Sequence, residues 1–89
     1  MKYEADYSPK FKKEYKIFQD FNSDKAAKIK ILIADTLEHP MEGLGKPERL
    51  RHLGGNVWSR HVDKKNRLVY KIIEEVIRFE CCRGHYKDH

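Results

Sequence analysis

Cysteine is scarce in this chain of 89 residues: there are two, Cys81 and Cys82, and they are adjacent. Neighbouring residues of a strand point to opposite faces, so a bridge between these two would be strained. No Cys-x-x-Cys or Cys/His spacing announces a zinc site, and no Asp/Glu/His ligand cluster suggests another metal. Long apolar runs are also missing, which excludes a membrane-spanning helix. The start, Met1-Lys2-Tyr3-Glu4-Ala5-Asp6, lacks the apolar stretch of a signal peptide. The expectation is a cytoplasmic protein with reduced thiols and no membrane partner. There is no internal repeat and no low-complexity segment. Arginine is absent before residue 49.

That last absence turns attention to where the charge is. Residues 1–45 hold eight lysines against eight acids, whereas residues 46–89 hold eleven Lys and Arg against six, so the second half carries the whole net charge of +5. Arginines confined to one half and interleaved with Trp58, Tyr70 and Tyr86 favour a face that binds a polyanion; the ordinary alternative for a basic balance is solubility. A chain of this length reads as one domain, residues 1–89, burying only about 60–65% of its unfolded surface, so a site is expected in a shallow groove rather than a deep cavity.

Ser8-Pro9 is a helix start, with serine able to cap free N–H groups and proline suited to the first helical position. Phe11, Tyr15 and Phe18 then recur at helical spacing, with lysines between them. Phe21-Asn22-Ser23-Asp24 ends this helix and caps the next. In the second helix Ala26, Ile29, Ile33 and Leu37 mark one face, and Pro40 stops it. After a glycine-rich connection at 41–47 the apolar period falls to two. Val57–Val62, Leu68–Ile73 and Val76–Arg83 read as strands, joined by turns at Asp63–Asn66 and Glu74-Glu75. Leu50–Leu53 reads as a short edge strand and Tyr3–Asp6 as a first strand. The expected architecture is α+β, in the order β-α-α-β-β-β-β, with two N-terminal helices on one face of a small antiparallel sheet. The other face is left open. Alternation puts Arg67 and Val69 on one side of their strand, and Leu68 and Tyr70 on the other.

Metal-free cleavage of RNA by its own 2′-hydroxyl needs a base, cations to hold charge on phosphorus, and an acid for the departing 5′-oxygen. Glu48, Arg67 and His85 are the residue types for those roles, with Arg51, Arg60 and His61 as supporting cations. Each has an ordinary alternative: Glu48 in an exposed ion pair with its neighbouring arginines, His85 as plain surface near the end of the chain, Trp58 as core.

The segments Gly43-Leu44-Gly45-Lys46-Pro47-Glu48-Arg49-Leu50, Trp58-Ser59-Arg60, Arg67-Leu68-Val69-Tyr70 and Cys82-Arg83-Gly84-His85-Tyr86 occur in an order and spacing that resemble the Txe/YoeB family of the RelE superfamily. The resemblance spans nearly the whole chain and implies a RelE-like fold. It also implies a ribosome-dependent mRNA endonuclease, working without a cofactor and held by a cognate acidic antitoxin of the Phd/YefM kind. Ribosome and mRNA would be the other partners, and a homodimer is left open. By resemblance Glu48 is the general base, His85 the general acid, Arg67 the stabiliser of the phosphorane-like transition state, and Tyr86 orients substrate. Lys46, Arg51, Arg60, His61 and Arg83 are expected to hold substrate. The chain departs from the family pattern in Arg51, where a lysine is usual, in His61, the second residue of the usual Arg-Arg pair, in Gly84, and in the Lys87-Asp88-His89 extension. Two rivals follow from the same residues: a ParE-like inhibitor of a protein target such as DNA gyrase, which would lack the Glu/Arg/His set, and a non-catalytic RNA-binding module, which would need the cations but neither Glu48 nor His85.

Overall fold

The computed structural model describes residues 3–84. Strand β1 (Glu4–Tyr7) leads into helices α1 (Pro9–Phe21) and α2 (Ser23–Glu38). Strand β2 (Glu48–Arg49), a single 3-10 turn (Arg51–Leu53), and strands β3 (Val57–His61), β4 (Arg67–Ile73) and β5 (Val76–Cys81) follow. The sheet order is β1-β5-β4-β3-β2.

Local chemistry accounts for the helix boundaries. The Ser8 hydroxyl accepts from the Phe11 amide at 3.0 Å, and Pro9 takes the first helical position. The second helix is capped by Asn22, within the Phe21–Asp24 segment expected to cap it; its side chain accepts from the Lys25 amide. That helix ends at Glu38, two residues short of Pro40. The helices bury Phe11, Phe18, Ala26, Ile29, Leu32 and Leu37 against Leu68, Tyr70, Ile77 and Phe79 of the sheet. Tyr7, Phe11 and Tyr15 stack in series, with ring centres 5.2 and 5.8 Å apart.

Two expectations change. The sheet is mostly antiparallel, but β1 runs parallel to β5, with Glu4 opposite Val76 and Tyr7 opposite Phe79. Two intervening helices return the chain to the far edge, the kind of long connection that a parallel pair requires. The edge strand also lies earlier than expected, at Glu48–Arg49, while Leu50 is buried and Arg51–Leu53 coil into the 3-10 turn.

A bulge on β5 opposite Val69/Tyr70 inserts Glu80 and resets the alternation. Phe79 and Cys82 therefore face the helices, while Cys81 joins Val69, Leu50 and Val57 in a small apolar cluster on the open face. The parity expected for Leu68 and Tyr70 against Val69 holds.

Candidate active site on the open sheet face

Register places the open-face residues in rows. Glu48 lies opposite Ser59, Ser59 opposite Val69, and Val69 opposite Cys81, so one row crosses β2, β3, β4 and β5. The next row holds His61 opposite Arg67. The row on the other side holds Val57 opposite Lys71. With strands about 4.8 Å apart, Glu48 and Arg67 stand two strands and one row apart, about 12 Å between backbones. A groove of about 660 Å³ continues along this face, floored by Val57, Val69 and Cys81 and flanked by Lys10, Lys71 and Glu80.

Glu48 is exposed and takes part in no ion pair among the described residues. The exposed pairing with Arg49 or Arg51 considered above does not form. Arg49, one residue on, points the other way and donates to the Gly55 carbonyl at 3.3 Å. Lys46, Arg51, His61 and Arg83 are all exposed. Arg67 is different: only 8% of it is accessible, and its Nη1 donates to the carbonyls of Asp63 (2.6 Å), Asn66 (3.2 Å) and Lys64 (3.3 Å). The turn that holds it is fixed by Asp63, whose carboxylate accepts from the amides of Lys65 and Asn66 and pairs with Lys25 at 2.9 Å. Partial desolvation raises the Asp63 pKa, but Lys25, the Asn66 side chain and the two amides outweigh it and hold the group far below the usual carboxylate range.

His85 and Tyr86 lie outside the described residues, but the chain leading to them is well anchored. Cys82 and Arg83 donate their amides to Glu14 Oε1 at 2.8 and 3.2 Å. The Gly84 amide donates to Asn66 Oδ1 at 2.9 Å, and the Gly84 carbonyl accepts from the Arg67 amide at 3.0 Å. The segment therefore leaves the described fold beside Arg67.

Arg60 does not reach this face. It has no accessible surface and points toward the helices, with Trp58 and Val62 on the same side of β3. Its guanidinium bonds Asp35 Oδ2 (2.6 Å), the carbonyls of His39 (2.5 Å), Glu42 (2.8 Å) and Leu44 (2.9 Å), and the Tyr70 hydroxyl (3.2 Å). A side chain with no surface cannot meet a phosphate, so Arg60 leaves the substrate-facing set. The parity of β3 carries the signal that could have found this, since Trp58-x-Arg60-x-Val62 alternates as one inward face. Asp35 and Glu14 are the supporting residues that sequence reasoning passed over, and Tyr70, counted there among the aromatics of a polyanion-binding face, is instead fully buried; their partners lie 25, 68 and 10 residues away along the chain.

A sequence profile described as "YoeB-like toxin of bacterial type II toxin-antitoxin system" matches residues 7–86. The chain belongs to this family. Toxin YoeB of Escherichia coli K12 is 38% identical over 73 residues, covering 82% of this chain and 87% of that protein. Among solved structures, the YoeB dimer from Staphylococcus aureus superposes with a TM-score of 0.86 at 32% identity, covering 97% of this chain and all of that one. The toxin in the heterotetrameric YoeB–YefM complex of the same organism gives 0.83 at 32% identity, with the same coverage. This YoeB-like toxin thus shares the α+β architecture of its solved relatives across almost its entire length. Among the described residues no helix is long and apolar enough to cross a membrane, and no group of three or more His, Cys, Asp or Glu side chains is placed to hold a metal ion.

Proposed function

We propose that this YoeB-like toxin is an endoribonuclease that cleaves mRNA on the ribosome by metal-independent acid–base catalysis. The observation that carries the reading is the register of the open face. Glu48, unpaired with any described cation, lies in one row, while His61 and the fixed cation Arg67 lie in the next, beside the point where the chain continues to His85. Glu48 takes the proton from the 2′-hydroxyl, whose oxygen attacks the adjacent phosphorus. Arg67 balances the charge that accumulates on the phosphoryl oxygens. The bond from phosphorus to the 5′-oxygen breaks, and His85 gives that oxygen its proton. The products are a 2′,3′-cyclic phosphate and a 5′-hydroxyl. Lys46, Arg51, His61, Arg83 and Tyr86 hold the substrate.

The partner is an acidic antitoxin whose disordered segment folds along the basic open face, and the toxin works in the cytoplasm. Self-association as a dimer is in keeping with the dimeric relative from Staphylococcus aureus. The test is mRNA cleavage in a translating extract by Glu48→Gln and His85→Ala, with circular dichroism as the folding control. Each should lose about 100–10,000-fold in rate while staying folded. Full activity in both would refute the assignment. Cleavage of a minimal RNA should persist in EDTA.

A further inference from the structure

Strand β2 is two residues long and sits at the sheet edge, so its ladder to β3 is too short to hold its own register. Yet register decides everything for Glu48, because a slip of one residue turns its carboxylate from the open face to the helix face. Leu50, buried with Val69 and Cys81 and bonded through its amide to the Val57 carbonyl, holds the far end of β2, and the strap that precedes it, residues 39–47, holds the near end. Arg60 holds the carbonyls of His39, Glu42 and Leu44, and the Tyr70 hydroxyl donates to the Pro40 carbonyl at 2.6 Å. Asp35 Oδ2 accepts from both Arg60 and the Leu44 amide. The last anchor is the His61 amide, which donates to the Gly45 carbonyl at 2.6 Å. At Gly45 the chain is pressed so close that an added Cβ would stand 3.0 Å from the His61 carbonyl and 3.2 Å from Arg60 Cβ, with φ at +78°. Three residues later, Glu48 pairs with Ser59, the neighbour of Arg60 on β3.

We infer that Arg60 is a positioning residue for Glu48: from inside the core it ties down the 39–45 strap and so sets the register that presents the carboxylate on the open face. This rests on the proposed role of Glu48 as base.

The test combines kinetics with amide exchange. Arg60→Lys keeps the charge but cannot bridge five acceptors with one ammonium. Under single turnover on preassembled ribosome–mRNA complexes, it should lower the maximal rate about 100-fold, the scale of a misplaced catalytic group. The half-saturating concentration should stay within about two-fold. In the Glu48→Gln background the same substitution should cost less than about three-fold, because the group it positions is already gone. Hydrogen exchange gives a readout independent of chemistry. The amides of Leu50, bonded to Val57, and of His61, bonded to Gly45, should exchange at least about ten-fold faster, while the β4–β5 core amides stay protected. If Arg60→Lys does not fold, Asp35→Asn, which preserves shape, goes through the same cycle. An unchanged rate and unchanged exchange in a folded variant would overturn the inference while Glu48→Gln remains inactive. So would an equal loss in both backgrounds. A fully active Glu48→Gln would instead remove the base reading, and faster exchange at Leu50 and His61 would then confine Arg60 to holding the strand.

Discussion

Replacing Tyr70 by phenylalanine removes one oxygen and leaves the ring against Phe79, with centroids 6.0 Å apart. That oxygen has two jobs inside the core, where Tyr70 has no accessible surface. It donates to the Pro40 carbonyl at 2.6 Å and accepts from Arg60 Nε at 3.2 Å. Pro40 is itself buried, so water does not take the place of the lost donor. Each buried group left without its partner costs about 1–3 kcal/mol, and the charged donor belongs at the upper end. Arg60 keeps four other bonds and can shift slightly, so the expected net loss is about 2–4 kcal/mol. For a domain of this size, about 4–8 °C of melting temperature accompanies each kcal/mol, which predicts a fall of about 8–30 °C. Thermal unfolding followed by far-ultraviolet circular dichroism, at fixed protein concentration, measures it. A loss below about 0.5 kcal/mol, the scatter of ordinary surface substitutions, would refute the idea that this network holds the strap.

Ser8→Ala should cost about 1–2 kcal/mol in the same melt, since the hydroxyl both caps α1 and donates to the Glu80 carbonyl at 2.6 Å. Stability should be flat near neutral pH and fall in acid. Asp63 and Asp35 are held below the usual carboxylate range, the latter because its bonds from the Leu44 amide and Arg60 outweigh the desolvation that would raise it. Carboxyls with lowered folded-state pKa values contribute fully above their unfolded value, about 3.9, and lose that contribution as the pH drops below it. Chemical denaturation at pH 7, 4.5 and 3 should show the decline only in the last; equal midpoints at all three would refute it. Both thiols are buried, burial pushing the Cys81 thiol up to about 12 and Cys82 higher still, so iodoacetamide at pH 7.5 should leave the folded toxin unmodified and label it rapidly in denaturant.

Much of this architecture is legible in the chain because its cues are local. Ser8-Pro9 and Pro40 bracket the helices, and the drop in apolar period from near four to two marks where the sheet begins. Leu68 and Tyr70 against Arg67 and Val69 sort the two faces correctly. What escapes is set by partners distant in sequence. Nothing near Tyr3–Asp6 says that its strand will pair in parallel with residues 76–79. Arg60 reads as one more surface cation until Asp35, on α2, is seen to meet it. The 3-10 turn at Arg51–Leu53 is hidden as well, because Leu50 is apolar for the sake of the Val69–Cys81 cluster and so imitates the start of a strand. For the candidate site, Glu48 and Arg67 could be named from residue type and resemblance, but their relative placement came only from register.

The parallel seam between β1 and β5 has a consequence for how the toxin is born. Ser8 and Glu80 bond across 72 residues, and β5 is the last strand to be made. At about 5–20 residues per second, β1 waits roughly 4–14 s for the segment that pairs with it, and α2 roughly 2–9 s. Among the described residues, Cys81 at the foot of the groove and residues 82–84 beside Arg67 arrive last. Until β5 docks, the groove on the open face lacks both its floor at Cys81 and the anchored segment beside Arg67.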